Sequence, residues 1–143
     1  MRVYVIPVGV RGDTGEKIAF LNLKQYLPKK LSALEGMISF FGGAMEDGDA
    51  TPLEAALREL KEETGPWFET ARLPGYKMTP LQASTEDVRI YGVPVDAGQV
   101  SHRLLCNSVK EGAVVITSKF LLENQKNLLL PGVYDAVLEA LGE

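Results

Sequence analysis

The chain has 143 residues, and its 15 Lys+Arg against 19 Asp+Glu leave a formal net charge of −4. That length suits one domain, 1–143, and a composition of 45% apolar and 24% charged residues excludes intrinsic disorder. No stretch approaches the roughly 18 to 20 apolar residues of a membrane span, the single Cys106 excludes an intramolecular disulfide or a multi-cysteine zinc site, and mild acidity disfavours nucleic-acid binding through phosphate contacts.

The N-terminus, MRVYVIPVGV, reads as a strand rather than a signal peptide. Val3, Val5, Val8 and Val10 with Tyr4 and Ile6 give residues 2–10 a β-branched, buried pattern. The turn cluster Gly12-Asp13-Thr14-Gly15 joins it to a second strand, Lys17 to Leu23, as a hairpin. Residues 24–36 are expected to be a connecting loop, with Pro28 and Gly36. Met37 to Phe41 forms a short strand that Gly42-Gly43 is expected to break. Residues 44–50 make an acidic loop. Thr51 can then cap a helix, Pro52 suits its first position, and Glu54 completes a capping box. The helix runs to about Thr64 and stops at Gly65-Pro66.

Trp67 to Tyr76 suggests a strand leading to a turn at Pro74-Gly75. Val88 to Val95 alternates as a strand, with Pro94 marking an edge or its end. Leu104 to Ser108 and Ala113 to Thr117 are further strands, separated by Lys110-Glu111-Gly112. Helices are expected from Ser118 to about Glu123 and from Val133 to Leu141. Strands around a central helix, with a helix at the end, indicate an α/β or α+β layered domain.

The central helix carries the chemistry. With Glu59 at zero on a wheel of about 100° per residue, Leu53, Ala56, Leu57 and Leu60 span about 60° to 160° as the core stripe. Glu62 lies near −60° and Glu63 near +40°. Three carboxylates therefore share one face within a turn. Ala55, near −40°, is expected to leave that face open to a ligand. Lys61 and Glu54 face solvent. Like charges at this spacing repel, and Arg58, reaching Glu62 at i+4, relieves only part of it. A hard divalent cation with oxygen ligands could neutralise the rest. A solvated charged face is the competing reading of the helix alone.

The segment around the helix narrows that choice. Gly42-Gly43, the acidic loop and Arg58-Glu59-Leu60-Lys61-Glu62-Glu63-Thr64-Gly65 closely resemble the Nudix box. That box is a glycine, a spaced acid, then Arg-Glu-apolar-any-Glu-Glu-any-Gly on a loop–helix–loop. The resemblance extends more weakly to the hairpin before the box, the strands after it, and Leu130-Pro131-Gly132 before the last helix.

A MutT-type Nudix resemblance implies an α/β/α sandwich around a central mixed sheet. It implies a hydrolase, a pyrophosphatase that cleaves a phosphoanhydride in a nucleoside diphosphate derivative. Its cofactor would be Mg²⁺ or Mn²⁺, and its partner a small-molecule nucleotide, such as a (d)NTP or ADP-ribose; the single Cys106 separately suits a reducing, cytoplasmic setting. Glu59, Glu62 and Glu63 would bind metal, with the Gly42 carbonyl as a further ligand. Arg58 would orient the glutamates. Glu111 resembles a later acidic position that some members use as metal ligand or base. For the base, Glu59 or Glu111 comes first, then Glu86 or Asp87. Many members of the family pair, so a homodimer is compatible with the resemblance.

Four residues depart from the usual pattern of the box. Asp49 stands where the spaced acid is normally Glu, and Ala50 is an extra residue before Thr51. Helix register is untouched, but Asp49, Glu46 and Asp47 all compete for the usual contact to Arg58. Phe41 precedes the glycines where many members have Pro, and Pro66 follows Gly65.

A calcium loop starting at Asp47 fails, because its twelfth position is Arg58 and its central glycine is missing. A Nudix-fold sensor that binds nucleotide without turnover is the main alternative, although such proteins usually lose box glutamates. His102 has no readable Ser/His/Asp setting, and Cys106 reads as a buried small hydrophobe. Trp67, Phe68, Tyr76 and Tyr91 suit core packing more than base stacking. Lys24, Lys29 and Lys30 fit a solvated loop as well as phosphate contacts. Residues 46–63 hold seven acids and two bases, a balance of −5, so the rest of the chain carries +1. The acidity belongs to one loop and one helix.

Overall fold

The computed structural model describes residues 1–10, 14–24, 36–64, 80–82, 84–95 and 112–142. Among the described residues six strands form one sheet: β1 (Arg2–Val10), β2 (Lys17–Lys24), β3 (Ile38–Ser39), β4 (Phe41–Ala44), β5 (Val88–Pro94) and β6 (Gly112–Ser118). The helices are α1 (Pro52–Thr64), α2 (Lys119–Asn124) and α3 (Val133–Ala140). Ser118 caps α2 with its hydroxyl, which accepts the Leu121 N–H at 3.3 Å. The strands expected over 67–76 and 104–108 and the stop at Gly65-Pro66 lie outside the described residues. Among the described residues no helix is long and apolar enough to cross a membrane.

The expected hairpin is present, with β1 and β2 antiparallel from Val10↔Lys17 to Val8↔Ala19. Beyond that register the two strands part, and β3 and β4 fill the gap. β3 pairs with β2 through Asn22↔Ser39 and Leu23↔Ile38. β4 pairs with β1 from Arg2↔Ala44 to Val5↔Phe41. The outer edges of the two long strands are each taken along their length, β5 lying parallel to β1 and β6 antiparallel to β2. One parallel pair among antiparallel ones makes the sheet mixed, as expected. Gly42-Gly43 does not break the strand. Both glycines lie inside β4, and the interruption comes two residues before Gly42, at Phe40.

Alternation along each strand divides the apolar residues between two faces. Val3, Val5, Ile18, Phe20, Phe41, Tyr91 and Val93 meet Ala55, Ala56 and Leu60 of α1 on one face. Ile6, Ala19, Leu21, Phe40 and Ile90 meet Leu122 of α2 and Val133, Ala136 and Val137 of α3 on the other. The result is an α/β/α sandwich. Each fully buried Val, Leu, Ile or Phe contributes about 1.5–3 kcal/mol to it. α1 lies over β4, β1 and β5, which sets its acidic face beside the β4 glycines.

Candidate active site

The start of α1 is fixed by its own side chains. Thr51 Oγ1 accepts the Glu54 N–H at 3.1 Å. The return bond of the capping box goes one residue further back than expected, because Glu54 Oε2 accepts from Ala50 N–H at 3.2 Å. The extra loop residue thus feeds the helix cap. The 46–49 turn closes on itself, with Asp49 N–H donating to the Glu46 carbonyl at 3.0 Å and Glu46 N–H donating to Asp49 Oδ2 at 2.9 Å.

Arg58 is the hub. Its Nε donates to Asp49 Oδ1 at 2.9 Å and its Nη2 to Asp49 Oδ2 at 2.8 Å, a two-pronged bond. Its Nη1 reaches Glu62 at 3.1 Å and Glu59 at 3.2 Å, and lies 3.6 Å from Glu46. Asp49, and not Glu46 or Asp47, takes the full contact. The Asp49 side chain is only 8% exposed. Hydrogen bonds from Arg58 and then from the Glu46 N–H hold its carboxyl below the usual carboxylate range. The same pairing with Asp49 pushes the Arg58 guanidinium further above its ordinary value, against the effect of burial.

The three box glutamates differ in surroundings. Glu59 is 13% exposed and its carboxyl lies over Gly43, where a Cβ would stand 2.8 Å from it. Glu63 turns towards β4 and accepts the Gly42 N–H at 2.8 Å. Glu62 is 56% exposed and leans on Arg58. Gly42 has φ +150°, and a Cβ there would lie 2.1 Å from the Val3 carbonyl oxygen. Two glycines thus let β4 approach β1 on one side and the carboxylates on the other. Ala55 does not leave the acidic face open. It is fully buried in the core beneath α1, because the close approach of β4 brings the core round the helix as far as Ala55.

Among the described residues no three His, Cys, Asp or Glu side chains already form a metal cage. The carboxylates are instead engaged by Arg58 and by the Gly42 N–H. The donor set is all oxygen, crowded on one helix face over a cradle that a Cβ would fill, and it fits a hard divalent cation. Glu111, His102, Cys106, Trp67, Phe68, Tyr76, Lys29 and Lys30 lie outside the described residues. Glu86 and Asp87 are exposed in the turn entering β5, where the Asp87 carbonyl accepts the Arg2 N–H at 3.0 Å. Tyr91 belongs to the core, and burial pushes its hydroxyl pKa up. Sequence reasoning passed over Asn22, a buried amide on β2. The only signal was a polar residue at a core-facing position of KIAFLNLK.

A family model described as the NUDIX domain matches residues 2–119. No curated protein matches the chain. Among solved structures, a mutT/nudix family protein from Listeria innocua is similar at 16% identity and TM-score 0.60, over 96% of this chain and 93% of that one. NrtR from Shewanella oneidensis is similar at 15% identity and TM-score 0.58, over 97% of this chain. The present chain spans 59% of that protein's length. An Ap4A hydrolase from C. elegans, solved as a binary complex, is similar at 14% identity and TM-score 0.53, over 99% of this chain and 93% of that one.

Proposed function

The chain belongs to the Nudix family, and from that premise we propose that it hydrolyses a phosphoanhydride bond in a nucleoside diphosphate linked to another group. Hydrolases of this family generally use divalent metal ions, and we take Mg²⁺ or Mn²⁺ as the cofactor here. The observation that carries the reading is the set Glu59, Glu62 and Glu63 on one face of α1, with Arg58 locked by Asp49 beside them. A (d)NTP, ADP-ribose or a related small nucleotide in a reducing, cytoplasmic setting is the corresponding substrate.

Glu59, Glu62 and Glu63 would hold the metal, with the Gly42 carbonyl and Glu111 as further ligands. When bound, the cation neutralises phosphate oxygens and the charge that develops on the departing phosphate. The chain supplies position and a proton acceptor. A carboxylate, Glu59 or Glu111, takes a proton from the attacking water. The water oxygen bonds to one phosphorus as the bridging P–O bond breaks, and the electron pair leaves on the second phosphate. Arg58 keeps Glu59 and Glu62 from scattering under their mutual repulsion.

The test is a nucleotide panel assayed with Mg²⁺ or Mn²⁺, run beside Glu62→Gln and Glu63→Gln. Turnover of at least one phosphoanhydride by wild type, with loss of roughly 100-fold or more in either variant, supports the reading. Retained nucleotide binding without turnover in wild type would favour the sensor alternative. Variants as active as wild type would sink the site assignment.

A further inference from the structure

Among the described residues Phe120 is the most exposed large apolar side chain, at 74%. Ile116, Leu121 and Leu128 are exposed in the same stretch of chain. α2 packs on the sheet through Leu122. At about 100° per residue Phe120 stands about 160° from Leu122, at the crest of the helix. Folding thus leaves an aromatic ring in water, and apolar surface gathered in this way marks contact with another molecule.

Beside the crest lies a cavity of about 700 Å³, lined by Phe120 and by Tyr134, Leu138 and Leu141 from α3 and its end. Its wall is held in place, because the Tyr134 hydroxyl donates to Glu123 and Lys126 Nζ lies 4.6 Å from the centre of the Tyr134 ring. The rim adds Glu16 and Lys17 at the entry to β2, and Lys119 and Glu123 from α2. Two acids and two bases leave the rim neutral.

The charges along α2 run against the helix. Lys119 opens it and Glu123 stands near its end. A helix dipole favours the reverse, and a lysine four residues before a glutamate is the poorer orientation of an i,i+4 pair. A second α2 laid antiparallel makes use of this order, since each Lys119 then meets the other copy's Glu123. A surface that carries a knob, a hole and charges that invert onto each other is self-complementary, which is what a twofold interface requires.

We propose that this surface joins two copies of the chain about a twofold axis. The α2 helices lie antiparallel across the axis, and Phe120 of each copy enters the cavity beside the other copy's α2. Two Lys119–Glu123 pairs between the copies flank the rings. An aromatic anchor in a well-packed pocket carries much of the energy of such an interface. α2 and α3 cover the face of the sheet opposite α1, so the pair leaves both acidic faces of α1 open.

Sedimentation velocity on the full chain, over about a hundredfold range of concentration, reads the oligomeric state. Wild type is expected to be a dimer at the upper end. Phe120→Asp, at an exposed position, is expected to stay monomeric while keeping its far-UV CD spectrum and its nucleotide hydrolysis. Lys119→Glu and Glu123→Lys each set like charges together at two symmetric places, and each is expected to weaken dimerisation by about tenfold or more. Mixing these two variants is expected to restore the dimer, because opposite charges then meet only between the two different chains. Pairing within one chain cannot produce that recovery. A wild type that stays monomeric throughout would overturn the proposal. So would a dimer indifferent to Phe120→Asp, or a mixture that associates no better than its components.

Discussion

Arg58 and Asp49 are joined by two parallel hydrogen bonds, Nε to Oδ1 at 2.9 Å and Nη2 to Oδ2 at 2.8 Å. This pair ties the acidic loop to the helix and leaves Nη1 to face Glu59 and Glu62. One guanidinium therefore fixes the loop and restrains two of the three box carboxylates.

That pairing should be visible in the pH dependence of stability. Asp49 titrates below its ordinary value of 3.8 because the folded state binds its ionised form. Between the folded pKa and 3.8 the unfolded chain holds more protons, so stability falls as pH falls. The contribution is complete above the unfolded value and lost below the folded one. The Tm difference between wild type and Asp49→Asn is expected to be constant from about pH 7 to about pH 5, to begin shrinking near 3.8, and to close only below the lower pKa of the folded state. A difference that widened in acid would contradict the assignment.

The departure from the usual box makes a second prediction. Asp49 is one methylene shorter than Glu, and Ala50 makes the loop one residue longer. Each compensates the other, and Ala50 N–H also serves the Glu54 cap. Asp49→Glu alone and deletion of Ala50 alone are each expected to lower Tm, and the combination to recover part of the loss. The double-mutant cycle should show coupling of about 0.5–3 kcal/mol, as for residues in one network. Additive losses would show that the two changes are unrelated.

The two glycines of β4 should respond differently to alanine. At Gly42 the added methyl meets backbone, the Val3 oxygen at 2.1 Å and Tyr4 Cα at 2.8 Å, in a conformation that L-residues rarely adopt. Gly42→Ala is expected to cost about 3 kcal/mol or more, by strain and overpacking together. At Gly43 the three atoms nearest the methyl all belong to the Glu59 carboxyl, at 2.8–2.9 Å, the end of a flexible side chain. Gly43→Ala is expected to leave Tm nearly unchanged while lowering kcat/KM by roughly tenfold or more. Urea unfolding and nucleotide hydrolysis, measured on both variants, separate the two effects.

The same glycines mark where the sequence was legible and where it was not. The start of α1 follows from Thr51 and Pro52, and Arg58 meets Glu62 one turn on, as read. The wheel nevertheless put Ala55 on the ligand side. A wheel describes one helix, whereas the burial of Ala55 depends on how near β4 comes. Gly42-Gly43 look like a break when read locally, but in the sheet they mark close backbone approach. The parting of β1 and β2 around β3 and β4 rests on long-range pairing that no local pattern announces. Asn22 was hidden for a related reason, since one polar residue in a strand says nothing of its partners.

The metal reading carries the last prediction, because Arg58 and a cation would compete for the same oxygens. Arg58 already engages Glu59, Glu62 and, at 3.6 Å, Glu46. Removing it leaves these carboxylates in mutual repulsion, which lowers stability without metal and makes neutralisation by a cation more favourable. Arg58→Gln is therefore expected to melt below wild type in EDTA and to gain more Tm than wild type on addition of Mg²⁺ or Mn²⁺. Glu62→Gln and Glu63→Gln are expected to gain less than wild type, since each loses a ligand. Monovalent salt at equal ionic strength serves as the control, because screening alone would raise all four proteins without that order. An equal gain in wild type and Arg58→Gln would show that the guanidinium and the cation do not share ligands, and the metal would then have to be sought away from Glu59 and Glu62.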